Sequence, residues 1–354
     1  MKNNIILLSV ATLSLLSGCG IYKSYQPETS VPDNLFREEA PATDTTSIGN
    51  LDWRELFTDP QLQALIEKGL ENNTDFRTAH LRVQEAEAAL MTSRLAYLPA
   101  LNLTPQGTIS SFDGSKAAKS YQLAASASWE IDIFGRLTNA KRSAQAALEQ
   151  TKSYKQAVRT QLIATIANSY YTLLLLDKQL VISERTASLW KENVQAMQAL
   201  KKAGLTNETA VSQSEANCLS VEASLLTLRQ QINEMENSLS NLLGEVPQRV
   251  ERGNLDCQEF PETLSTGVPL ALLGNRPDVR QAEYSLAQAF YTTNGAQSAF
   301  YPNINLSGVV GWTNSGGGII ANPGGLLLQA IGSLTQPLFN KGANIAQLKI
   351  AKAQ

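Results

Sequence analysis

Few residues of this chain are typed and spaced for catalysis. Glu130 and Asp132 stand two apart, in the manner of a paired-carboxylate site. On an extended segment, however, residues two apart share one face, here beside Gln122, Ala124, Ser126 and Ser128, so the pair reads as structural. His80 is the only histidine; it sits in a polar helical stretch and reads as solvated or packed rather than as a metal ligand. The run Gly316-Gly317-Gly318 lacks the Gly-Lys-Ser/Thr that completes a phosphate-binding loop and reads as a loop between strands. Cys218 falls on an apolar helical stripe and Cys257 in a loop, which favours a buried thiol and an unpaired cysteine over a disulfide. No catalytic residue, metal ligand or cofactor is expected.

One cysteine is marked for modification. Lys2 supplies a positive start, Ile5 to Leu16 an apolar core, and Leu16-Ser17-Gly18-Cys19 follows at once, which resembles the lipobox of bacterial lipoproteins. Residues 1–18 are then a signal peptide and Cys19 carries covalent lipid. Residue 20 is Gly rather than Asp, which by the same resemblance favours the outer membrane of a diderm bacterium. Beyond Cys19 no stretch approaches the ~18 to 20 apolar residues of a spanning helix. Any crossing of the membrane must therefore use strands. A formal net charge of -3, with acids and bases interspersed, leaves no basic footprint for nucleic acid.

The elements that carry these residues are unusually long. Arg136 to Ala203 is 68 residues without glycine or proline, and past Gly204 the chain runs another 39, Leu205 to Leu243, without either. At about 1.5 Å per residue the first stretch spans on the order of 100 Å as a helix. In the second, Cys218, Val221, Leu225, Leu228, Ile232, Met235, Leu239 and Leu242 alternate steps of three and four, the heptad seam. Leu173, Leu176, Leu180, Ser183, Ala187, Trp190, Val194 and Met197 repeat that rhythm in the first. The short connection predicts an antiparallel pair folded at Gly204 to Asn207, with Thr206 or Asn207 as N-cap. The shorter helices, Asp75 to Tyr97 and Leu205 to Leu243, are expected to flank the long one end to end.

From Gln122 to Ile133 the pattern changes to period two: Leu123, Ala125, Ala127, Trp129 and Ile131 alternate with Gln122, Ala124, Ser126, Ser128 and Glu130. This fits a strand with one face to lipid and one to a polar lumen. Trp129 suits a core or an interfacial aromatic girdle equally. Leu101 to Ile109 is its expected hairpin partner, across a polar segment from Ser110 to Ser120.

The pattern recurs. Shifted by 203 positions, Asn72 to Leu103 lies over Asn275 to Leu306 with nine identities, among them Asp75/Asp278, Arg77/Arg280, Pro99/Pro302 and Leu103/Leu306. With two more residues inserted, Ile133-Phe134-Gly135-Arg136 lies over Leu338-Phe339-Asn340-Lys341. The expected organisation is an arm at 19–60, a first repeat at 61–274 (hairpin about 100–134, coiled coil 136–243, connector 244–274) and a second repeat at 275–354 (hairpin about 303–339). The second copy stops ten residues after Asn344, where the first runs on for about 100, so the chain reads as cut short. The fold class is α+β: long antiparallel coiled-coil helices plus four membrane strands. Four strands leave edges that lipid does not tolerate, and three chains would close a 12-stranded barrel.

Several strings resemble a known family. Trp129-Glu130-Ile131-Asp132-Ile133-Phe134-Gly135-Arg136, Asn275-Arg276-Pro277-Asp278-Val279-Arg280-Gln281-Ala282-Glu283, Trp53-Arg54-Glu55-Leu56-Phe57, Asp59-Pro60-Gln61-Leu62 and Leu242-Leu243-Gly244 are similar to the TolC-like outer membrane factors, in their OprM-like lipoprotein branch. The resemblance implies a homotrimeric channel-tunnel that takes drugs or other toxic compounds from a proton-driven RND pump of the inner membrane through a periplasmic adaptor. It implies adaptor contact at Ala203, Gly204, Leu205 and Thr206. Ala210-Val211 stands where relatives carry an acidic residue, and the family's gate residues belong to a last helix this sequence does not contain. Two alternatives fit the same sequence: the exit duct of a type I protein-secretion system, and a non-conducting periplasmic coiled-coil lipoprotein scaffold.

Overall fold

The computed structural model describes residues 23–27, 52–258, 274, 276–314 and 325–354. Seven helices are described: α1 (Trp53–Leu56), α2 (Pro60–Asn72), α3 (Thr74–Leu95), α4 (Arg136–Lys202), α5 (Glu208–Leu242), α6 (Pro277–Ser298) and α7 (Ala343–Ala353). The strands are β1 (Ala100–Ser110), β2 (Ala118–Ile131), β3 (Asn303–Asn314) and β4 (Gly325–Thr335). Cys19, the arm over 28–51, most of the connector past residue 258 and Gly316 to Gly318 lie outside the described residues. Two compact units cut across the sequence repeat: Met1–Val31, Arg82–Ser153 and Asp278–Gln354 form one, and Pro32–Leu81 with Tyr154–Pro277 form the other.

In the second of these, the helical unit, α5 runs back along α4 as the heptads require. Leu173, Ala187, Cys218, Ile232 and Leu239 are buried and the remaining seam residues half-buried; Cys218 is a free thiol. Off the seam, Leu219 and Leu226 are exposed. Cross-helix ties follow the antiparallel order: Arg229 with Glu184 (2.9 Å), Lys191 with Glu222 (2.8 Å), and Ser214 Oγ donating to Asn193 Oδ1 (2.7 Å). Asn73, between α2 and α3, accepts from the Phe76 N–H (3.0 Å) and donates to the Leu242 carbonyl (3.0 Å), so the start of α3 meets the end of α5. Gly244 ends the return at φ +68° against the Asn72 carbonyl.

The core of this unit gathers Leu62 and Ile66 of α2, Ile166, Tyr170 and Leu173 of α4, and Leu239. A strap after α5 is tied to it. Arg252, almost wholly buried, donates from Nε and Nη2 to Asp177 (2.5 and 2.9 Å) and from Nη1 to Glu236. Asp177 foremost, then Glu236, holds this guanidinium above its ordinary value against the opposing effect of burial. Tyr170 Oη donates to Asp59 Oδ2 (2.5 Å), which also accepts from Gln258 Nε2 (2.8 Å). Burial works to raise the Asp59 carboxyl, but these bonds together with backbone N–H groups outweigh it and hold it below the usual range.

In the sheet unit the strands pair antiparallel in the order β1-β2-β3-β4. β1 is an edge, which accommodates Pro105 at its centre. β4 ends at Thr335, short of the expected 339, and both bounds of β2 depart from the expected ones. β2 begins at Ala118 and ends at Ile131, not Gln122 to Ile133, leaving residues 111–117 as the connection. It ends there because Asp132 turns away to cap α4: its carboxylate accepts from the backbone N–H groups of Leu137 (3.1 Å) and Thr138 (2.8 Å) and from Thr138 Oγ1 (2.6 Å). Glu130 and Asp132 thus do not share a face.

The repeat is exact at the element level: adding 203 to the bounds of α3 gives α6, and to the start of β1 the start of β3. The second strand-to-helix joint slips further than the sequence alignment allowed. Left-handed backbone falls on Gly135 in the first copy but on Lys341 and Gly342 in the second, so α7 starts 207 positions after α4 rather than 205.

Candidate membrane-spanning sheet and hairpin tip

Strand register decides what each face of the sheet presents, because residues directly paired across strands point the same way. Leu103, Ala125, Val310 and Leu328 stand in one row; Leu101, Ala127, Gly308 and Ala330 in the next; Pro105, Leu123, Trp312 and Leu326 in a third; and Ile131, Ile304 and Leu334 in a fourth. The expected lipid-facing residues Leu123, Ala125, Ala127, Trp129 and Ile131 therefore share one apolar face with partners from three other strands. That face is open: Leu101 is 77% exposed and Leu328 78%. The opposite face carries Asn102, Thr104, Gln106, Gln122, Ser126, Ser128, Asn305, Ser307 and Gln329, with Val309, Leu327 and Ile331 as apolar exceptions. Its charged strand residue, Glu130, is already paired with Arg136 (Nε to Oε1 2.6 Å).

Alternation on this scale has a physical meaning. An apolar face of this extent in water is a liability, and the free edges of β1 and β4 add unpaired backbone groups. Facing hydrocarbon, the same face is stable, provided the edges are closed. The strands are 11 to 14 residues long, against the ~9 to 11 that a tilted membrane strand needs. Trp129 lies level with Leu306, and Trp312 lies six residues further along β3, about 20 Å at a strand's rise. The two indoles lie near opposite rims of the apolar face. Trp129 Nε1 donates to the Tyr97 carbonyl (2.9 Å), and Tyr97 Oη to Thr138 Oγ1 (3.0 Å), so this rim is locked to the helix below the strand. Phe134 stacks on Tyr301 at 5.1 Å, joining the first strand-to-helix turn to the second repeat.

The hairpin tip belongs to the helical unit. α4 is closed by the Leu205 N–H donating to the Leu200 carbonyl (2.9 Å), with Gly204 at φ +72°, the left-handed position that ends many helices. Of the two candidate N-caps, Asn207 serves: its Oδ1 accepts from the Ala210 N–H (3.0 Å). Ala203, Gly204 and Leu205 are exposed and Thr206 half-buried; Leu205 is 75% exposed, an aliphatic side chain held out at the turn.

The sequence predicted both hairpins, but residues of the apolar face were assigned on one strand only. The 203-residue shift carries Leu101 onto Ile304 and Leu103 onto Leu306, and was the signal that would have found them. The cap by Asp132 and the Glu130–Arg136 pair were legible only as a string. Among the described residues no helix is long and apolar enough to cross a membrane.

Comparison with known proteins agrees with this geometry. The family model described as outer membrane efflux protein matches residues 65–245 and 268–354. The chain is 29% identical over 355 residues to the cation efflux system protein CusC of Escherichia coli O157:H7, covering 98% of this chain and 76% of that protein. It is 28% identical, with the same coverage, to the probable outer membrane lipoprotein SilC of Salmonella typhimurium. Among solved structures, the open state of the MtrE outer membrane channel of Neisseria gonorrhoeae superposes with a TM-score of 0.80 at 28% identity, covering 94% of this chain and 75% of that one.

Proposed function

The chain belongs to the outer membrane efflux protein family, and from that premise we propose how it forms and serves its channel. It is the outer-membrane channel component of an efflux system. Three copies join β4 of one to β1 of the next, closing 12 strands from three sets of four with the apolar face to lipid and the amide and hydroxyl face to a water-filled lumen. Cys19 carries the lipid that holds the N-terminus at the periplasmic leaflet, as the naming of SilC as a lipoprotein supports. The tip at Ala203, Gly204, Leu205 and Thr206 meets a periplasmic adaptor, which links the channel to an inner-membrane RND pump. Cargo is small and toxic, either metal cations, as the name of CusC has it, or drugs. The lumen face lines water rather than gripping cargo, since its one strand carboxylate is paired.

The observation that carries this reading is the two-faced sheet with two open edges. Single cysteines at Leu123, Ala125, Ser126 and Ser128, in protein with Cys218 and Cys257 replaced by serine, test it in outer membranes. A membrane-impermeant maleimide is expected to label the two serine positions and spare the other two, in a protein that runs as a trimer. Equal labelling of both sets, or the reverse, rejects the barrel and favours a scaffold.

A further inference from the structure

The N-terminal arm touches down on α6. The Tyr25 N–H donates to the Tyr291 hydroxyl (3.1 Å), the Tyr25 hydroxyl donates to Glu283 Oε1 (2.5 Å), and its ring meets Phe290 edge-on at 5.7 Å. Glu283 and Phe290 are seven residues apart, two turns along one helix face, so a single ring is gripped at its hydroxyl by one turn and at its edge by another. The site is itself braced: Phe290 packs edge-to-face on Tyr291 (5.5 Å), and the Arg142 guanidinium stands 5.8 Å from the Tyr291 ring centre. Because the main chain of the arm donates as well as the side chain, the grip fixes backbone position and not only a ring.

Its height matters. Arg142 is one turn, about 6 Å, from Thr138, whose hydroxyl accepts from Tyr97 at the Trp129 rim of the apolar face. Tyr25 follows Cys19 by six residues, and six extended residues reach no further than about 22 Å. We propose that Tyr25 is a clasp that pins the arm to α6 beside the Trp129 rim, so that lipid on Cys19 enters the leaflet the sheet itself meets. This rests on the reading of Cys19 as the lipid-bearing residue. Among the described residues the next element after Tyr25 is α1, which begins at Trp53, 34 residues from Cys19 (53 minus 19). Shortening a tether from 34 residues to six raises the local concentration of the anchor at the sheet rim about tenfold by the −3/2 power of length.

Limited trypsin digestion of the full-length, detergent-extracted protein tests the clasp. Cleavage after Lys23 requires Ser24 and Tyr25 to thread the protease cleft, which docking forbids. Tyr25→Ala should speed that cut at least tenfold and Glu283→Gln, which keeps every ring, about threefold, with cleavage at the Lys201 and Lys202 tip unchanged as the control for folding. Wild-type protein cut after Lys23 as fast as Tyr25→Ala overturns the clasp. The mass of the released N-terminal peptide separates the two readings: an acylated peptide released slowly from wild type supports the proposal, whereas an unacylated one removes the membrane anchor and overturns the role of Tyr25 in placing it.

Discussion

The sheet unit and the helical unit solve the same problem, what to do with apolar side chains, in opposite ways. In the helical unit Leu173, Ile166 and Leu239 are fully buried in one cluster. In the sheet unit Leu101, Leu103, Leu326, Leu328 and Leu334 stand exposed on one side of four strands. Identical residue types therefore report different solvents. Where leucines recur every three or four residues, the partner is another helix of this chain. Where they alternate with serine, threonine and glutamine, the partner is outside it, and hydrocarbon is the solvent that makes such a face stable.

The sharpest way to break that comparison is to charge neighbouring positions. Ala125 lies mid-strand on the apolar face and Ser126 on the polar one. Ala125→Arg is expected to abolish stable membrane insertion, since an arginine at the bilayer midplane costs about 2 to 4 kcal/mol in each protomer. Ser126→Arg should leave insertion near wild type. The inserted fraction, measured by resistance to urea extraction of outer membranes, checks both. If the two variants behave alike, the faces are not facing different solvents.

Charge removal tests the other half. Arg252 sits between Asp177 and Glu236, and its loss leaves two carboxylates facing one another in a site where Glu236 is buried. Arg252→Ala should destabilise the helical unit by about 2 to 4 kcal/mol, nearer the lower figure because Asp177 reaches solvent. Arg252→Lys keeps the charge but not the planar fork and should recover only part. Denaturant unfolding followed by helix ellipticity reads the difference, and an unchanged midpoint in Arg252→Ala would show that the strap contributes nothing to this unit.

What was legible beforehand follows the same division. Coiled-coil seams are local and periodic, so every seam residue from Leu173 to Met197 and from Cys218 to Leu242 was found, as was the turn at Gly204. The alternation of Gln122 to Ile131 was equally local. Register was not: nothing in the linear order of Leu103, Val310 and Leu328 states that they form one row, because the pairing of β2 with β3 is long-range. The strand end at Ile131 was misplaced for a related reason. Ile133 continues the alternation, and only the capping geometry of Asp132 shows that the chain has already turned into α4. The clasp at Tyr25 had no signal, since a lone tyrosine in a polar arm announces no partner 258 residues away.

The smallest effect is expected at the tip, where neither burial nor a membrane supports the backbone. Asn207 supplies one side-chain acceptor to the first turn of α5, through the Ala210 N–H, and Lys201 pairs with Glu208 across the turn. Asn207→Ala removes the acceptor at a cost of about 1 kcal/mol. Because Val211 and Ser214 are already buried on the seam, the loss should fray only the first turn, about fivefold faster amide exchange at Ala210 for each kcal/mol, while exchange at Ile232 and Leu239 stays unchanged. Asn207→Asp keeps an acceptor and should exchange like wild type. Acceleration that spreads to Leu239 would mean the hairpin unfolds as one piece from its tip. The presentation of Leu205 would then depend on a single asparagine rather than on the seam beneath it.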